Sequence, residues 1–141
     1  MSLSLEIAQK IVASALAYAQ KQSLKPLAIV VLDDRGAMKA FAAQDGTSLK
    51  RDDLALGKAR GALALGIGTR ALMKRAEQQP YFISAAGAAI GGALIPVPGG
   101  VLIKQAGAIV GAVGVSGDTS DNDEAAAVAG ITDAGLDADI G

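Results

Sequence analysis

The side chains able to do chemistry in this chain are few. Lys58 lies inside a predicted helix, between Gly57 and Ala59. In that tight setting its amine can meet a carboxylate or a carbonyl. Arg51 stands near the start of the same helix. The helix dipole favours anions there, so an anionic ligand or partner at that end would resolve the conflict. Asp45, before Gly46, reads first as a turn residue beside Lys50 and Arg51. Farther along come Asp118, Asp121, Asp123 and Glu124. Their spacing does not match the twelve-residue calcium loop. Asp123 falls three residues after Ser120 and fits a helix-capping role.

Absences narrow the chemistry further. The chain has no Cys and no His. Disulfides, thiolate catalysis, thiolate metal sites and imidazole bases or ligands are excluded, and proton transfer falls to Asp, Glu, Lys, Tyr or water. The stretch Asp52 to Ala59 contains Gly57-Lys58 but fails as a phosphate loop: Asp52 stands where Gly is needed, and Ala59 replaces the magnesium-holding hydroxyl. Gly66-x-Gly68-x-x-Ala71 follows a helix rather than a strand, which removes the context of a dinucleotide fingerprint. No particular carboxylate pair is singled out for a hydrolase, and few aromatics argues against a carbohydrate cleft.

The elements that must position these residues are legible from pattern. Leu5 to Lys21 reads as a helix capped by Ser4, with Ile7, Ile11, Ala15 and Tyr18 on one face. Leu27 to Leu32 and Ala37 to Ala43 read as strands joined by the loop Asp33-Asp34-Arg35-Gly36. Leu49 to Leu65 is a helix in which Gly57 and Gly61 share a face, a sign of close packing. Thr69 can cap a helix over Arg70 to Gln78 that Pro80 ends, and Ala85 to Ala93 is either a short helix or a glycine-rich loop. Leu94 to Val97, Val101 to Lys104 and Ala108 to Val115 read as strands. In the last of these, Ile109, Val113 and Val115 form a bulky face. Ala108, Val110, Ala112, Gly114 and Ser116 form a smooth one that a helix, a subunit or a flat ligand could approach closely. A helix follows from Asp121, and the tail from Gly135 to Gly141 is expected to fray. Hairpin-linked strands with clustered helices indicate an α+β fold.

At 141 residues the chain is read as a single domain, 1–141. Aromatics make up only 3%, so Val, Ile, Leu and close backbone contacts must build the core, and subunit association is a natural way to gain burial. All 13 Lys and Arg lie within 1–104, giving that part +6, while 105–141 carries −7. This split suits an acidic ligand on one side or subunits pairing plus to minus. Nucleic acid is not expected, because no basic run is interleaved with aromatics. The start shows no basic leader region, and the uncharged run Gln78 to Ile103 is broken by three prolines and five glycines, so a cytoplasmic protein outside the membrane is expected.

Three segments carry a family resemblance: AIVVLDDRGAMKAF, AQDGTSLKRDDLALGKARGAL and, most specifically, GGVLIKQAGAIVGAVGVSGDTSDNDEAAAVAG. In this order they resemble the GlcG/HbpS family, also called the haem-degrading domain family, over nearly the whole chain. The resemblance implies a profilin-like α+β fold, a central antiparallel sheet flanked by helices, assembled into dimers or larger homo-oligomers. It also implies haem as a possible cofactor, although no His is present to ligate it; Met38, Met73, Tyr18, Tyr81 and Lys58 are the remaining conceivable ligands. The function expected is binding of a small anionic organic molecule, either a tetrapyrrole held by its propionates or a small carboxylate. Asp45, Arg51 and Lys58 would face it, with the backbones of Gly99, Gly100, Ser116 and Gly117 allowing close approach. The alternative is a lyase, isomerase or deaminase acting on a small oxo- or hydroxy-acid, using Lys58 with Asp45 or Asp123 as proton partner.

Overall fold

The structure, a computed structural model, describes residues 2–92 and 94–141. Met1 and Ala93, the last residue of the ambiguous 85–93 segment, lie outside the described residues. Helix α1 (Leu5–Lys21) starts where the Ser4 hydroxyl accepts from the Ile7 amide at 3.2 Å. Strands β1 (Ala28–Asp33) and β2 (Met38–Ala43) form the first hairpin. Helices α2 (Arg51–Leu65), α3 (Thr69–Gln78) and α4 (Pro80–Ala89) follow, then β3 (Gly100–Gln105) and β4 (Ala108–Ser116), α5 (Ser120–Asp133) and β5 (Asp137–Asp139). The strands make one antiparallel sheet in the order β2-β1-β4-β3-β5.

The sheet is covered on both faces, which is why every residue of β1 is buried. Ile29 and Val31 join Ile11, Ala15, Val113, Val115 and Ile131 in the core beneath α1 and α5. Ala28, Val30 and Leu32 pack with Ala55, Ala59, Ala62, Leu102 and Ala112 beneath α2. This second layer is thin, and the sheet surface below it is nearly flat. A Cβ at Gly114 would run into the Ala55 carbonyl oxygen, and one at Gly100 into the carbonyl of Lys58. The smooth face of β4 is therefore occupied by a helix of the same chain.

Several expectations are corrected. A register shift between Ile103 and Lys104 turns the face of the facing strand, so Val110 joins the α1/α5 core while Ile109 is exposed. Leu94 to Val97 is not a strand, since Pro96 and Pro98 deny it the ladder's donors. Pro80 does not merely end α3; it occupies the first turn of α4, where its missing N–H is not needed. Thr69 is not a cap: Gly68 is, and the Thr69 hydroxyl is buried against Gly100. The tail does not fray, because β5 pairs with β3 and the Ile140 carbonyl accepts from the Arg70 amide at 3.2 Å.

The close approach of α2 gives a test. Gly114→Ala should cost about 3 kcal/mol or more in denaturant unfolding, because the obstruction is backbone and cannot rotate away. Gly87→Ala, in α4 with nothing nearer than the Leu94 side chain at 3.9 Å, should be neutral or gain up to about 1 kcal/mol.

Candidate functional site

Helix α2 lies close enough to the sheet to carry a lysine into the interior. Lys58, only 3% exposed, emerges beside the end of β4 and the start of α5. Its Nζ donates to the Val115 carbonyl at 2.9 Å and to Asp123 Oδ2 at 3.2 Å. Gly99 is required opposite it: its φ is +123°, and a Cβ there would sit 2.8 Å from Lys58 Nζ. Burial pushes the Lys58 ammonium down and the Asp123 carboxyl up, while their attraction and shared hydrogen bond oppose both shifts.

Asp123 anchors the turn behind it. Its Oδ1 accepts from the Asp118 amide at 2.9 Å, and the nearby Gly117 amide helps to hold the carboxylate in its charged form. It is thus not the capping group expected from its distance to Ser120. Thr119 is the N-cap, accepting from the Asn122 amide at 3.2 Å. Asp118 extends the network by accepting from the Lys25 amide at 2.7 Å, and also from Asn122 and Thr119. These donors hold its carboxyl down at about 2.

Arg51 is the first residue of α2, and its Nη1 donates to the buried Ser116 hydroxyl at 3.1 Å. No carboxylate pairs with it among the described residues. Its charge also disfavours protonated Lys58. Among the described residues Asp123 thus pairs with Lys58 alone, and the cluster carries an unpaired positive charge at its Arg51 end.

Of the residues expected at the site, Arg51, Lys58, Gly99, Ser116 and Gly117 come together, with Gly100 adjoining. One of the expected free amide donors is already used: Gly100 donates to Thr69 Oγ1 at 2.8 Å. Asp45 lies apart, lining a cleft with Leu24, Pro26, Ala43 and Gln44. Sequence reasoning missed Thr69 and Asp118, whose partners are 31 and 93 residues away. It also missed that the acidic group disperses: Asp121 and Glu124 pair with Arg70, Asp123 with Lys58.

A family model described as haem-degrading protein HbpS-like matches residues 3–132. Among solved structures, the chain superposes on a complex of PduOC with heme at TM-score 0.86 and 22% identity, covering 96% of this chain and 97% of that one. It superposes on the Klebsiella pneumoniae protein ORFY, of the DUF336 family, at 0.85 and 24%, covering 94% and 90%. For a double mutant of HbpS from Streptomyces reticuli the values are 0.81 and 28%, covering 94% and 86%. No curated protein matches the chain. No helix among the described residues is long and apolar enough to cross a membrane.

Two measurements probe the cluster. Lys58→Met should lose about 3–5 kcal/mol of unfolding free energy by stranding Asp123, and adding Asp123→Asn should recover part of it, since a neutral amide still accepts from Asp118 N–H. The Asp118 carboxyl is lower in the folded chain (about 2) than its ordinary 3.8, so its contribution is complete above about pH 4 and drains as pH falls toward 2. Asp118→Asn should flatten the acid limb of stability against pH over that window.

Proposed function

This chain belongs to the family of HbpS-like haem-degrading proteins, and on that premise we propose that it is a homo-oligomeric binding protein for a small anionic organic ligand. The carrying observation is Arg51: a guanidinium at the N-terminal end of α2, without a carboxylate partner among the described residues, beside the buried cation Lys58. A carboxylate placed there would balance the cluster and meet the positive end of the helix dipole. The exposed Met38, Leu49 and Tyr81 support association into oligomers, as does α4, which buries none of its residues in the single chain.

The family description and the PduOC–heme complex raise the question of haem. The residues present do not supply the imidazole or thiolate of an iron-ligating pocket. The chain has no His or Cys, the Lys58 amine is committed to Val115 and Asp123, and Met38 and Tyr81 are exposed by 50% and 70%. Tyr18 packs against the core. A tetrapyrrole would be held here only through its propionates, and a small carboxylate satisfies the same guanidinium without it. The enzyme reading draws on the depressed Lys58 ammonium, but an amine with its donors engaged and 3% exposure favours a structural post over a nucleophile.

Calorimetric titration with glycolate, citrate and haemin tests the proposal. Saturable binding of at least one is expected, weakened tenfold or more by Arg51→Ala and unchanged by Arg75→Ala. Absence of saturable binding, or equal affinity for the Arg51 variant, would overturn it.

A further inference from the structure

A second region of the surface has the shape and chemistry of a binding site. The turn between β1 and β2, the outer face of α2 and the residue that closes α4 enclose a cleft of about 360 Å³. That lies toward the lower end of the roughly 300–1,000 Å³ of small-molecule pockets. Its apolar lining comes from Leu63, Ala64 and Ile90, and its polar lining includes Arg35, Arg60 and the turn backbone at Gly36. Arg60, Leu63 and Ala64 are spaced three and four residues apart on α2, so cation and apolar floor share one helix face.

The two guanidinium groups are available, and of the two neighbouring carboxylates Asp33 is engaged by backbone amides. Arg60 is exposed and carries no ion pair among the described residues. The Arg35 side chain is 80% exposed and reaches Asp33 only at 3.7 Å. Asp33 itself is buried and accepts from the amides of Arg35 and Ala37, both at 3.0 Å. Burial pushes its carboxyl up, but these amides and the nearby positive charges outweigh that and hold it low. Asp34, also at the rim, accepts from the Ser2 hydroxyl at 3.0 Å. The Asp33 bonds fix the turn, so Arg35 projects from a rigid support rather than a loose loop.

We infer that this cleft binds a small organic acid with an apolar tail, its carboxylate between Arg35 and Arg60 and its tail over Leu63, Ala64 and Ile90. The site is separate from the Arg51 cluster and stands or falls independently of it.

The experiment is an amide-resolved NMR titration of the full chain with phenylacetate, and with 2-phenylethanol as the uncharged counterpart. Saturable shifts centred on Gly36, Ala64 and Ile90 are expected with phenylacetate, with affinity at least tenfold weaker for 2-phenylethanol. Arg60→Ala should weaken phenylacetate at this cleft tenfold or more, and replacing the exposed Lys10 of α1 (Lys10→Ala) should leave it unchanged. Both arginine side chains face solvent, so these variants keep the fold; unaltered amide spectra away from the cleft check this. Equal binding of the alcohol, indifference to Arg60→Ala and Arg35→Ala, or shifts confined to the Arg51 end would each overturn the inference, and the last would leave the Arg51 proposal standing.

Discussion

The distance between α2 and the sheet governs the rest of this molecule. Gly100 and Gly114 remove the side chains that would hold the helix away, and Ala55, Ala59 and Ala62 do the same from the helix side. Little apolar area is buried per residue in such a layer, but the many atoms at van der Waals distance make it dense. The consequence is chemical as much as mechanical. Only a helix seated this deep brings the Lys58 amine within 2.9 Å of the Val115 carbonyl and 3.2 Å of Asp123.

A buried ion pair is an expensive way to join elements, since both charges leave water. Here the carboxylate has further duties. Asp123 takes the amide of Asp118, and Asp118 in turn takes that of Lys25. One lysine thereby fixes the end of β4, the turn after it, the first turn of α5 and the segment entering β1. Hydrophobic residues of equal volume in place of Lys58 and Asp123 would leave the Asp118 amide without its acceptor. The network specifies geometry more than it adds stability, and it presents Arg51 and Ser116 in a fixed relation.

What the sequence made legible follows from the range of the interactions. Helix α1 was readable because Ser4, the apolar stripe and the following Leu24-Lys25-Pro26 are local signals. The smooth face of β4 was readable as a request for close approach, but only the structure says that α2 answers it. The face of Val110 was misread because a register shift has no sequence mark. Thr69 looked like a helix cap, and its real partner, Gly100, lies 31 residues on. The tail, polar and glycine-bearing, looked loose because its partners, β3 and the Gly68–Arg70 segment, are distant in sequence. At the site, Arg51 and Lys58 stood out through conflict with their surroundings, whereas Asp45 stood out only through its turn and lies elsewhere.

The strand order carries a consequence for how the chain comes together in time. The central strand β1 is flanked by β2, its immediate successor, and by β4, whose Ser116 pairs with Ala28 across nearly ninety residues. Until β4 has been synthesised, the first hairpin holds a strand apolar except for Asp33 with one open edge, and Lys58 lacks Asp123 as counter-charge. Closure of so long a loop is slow and contributes little until its contacts form. The first half of the nascent chain is therefore left waiting, hairpin exposed, for a glycine-spaced strand and an aspartate that arrive together.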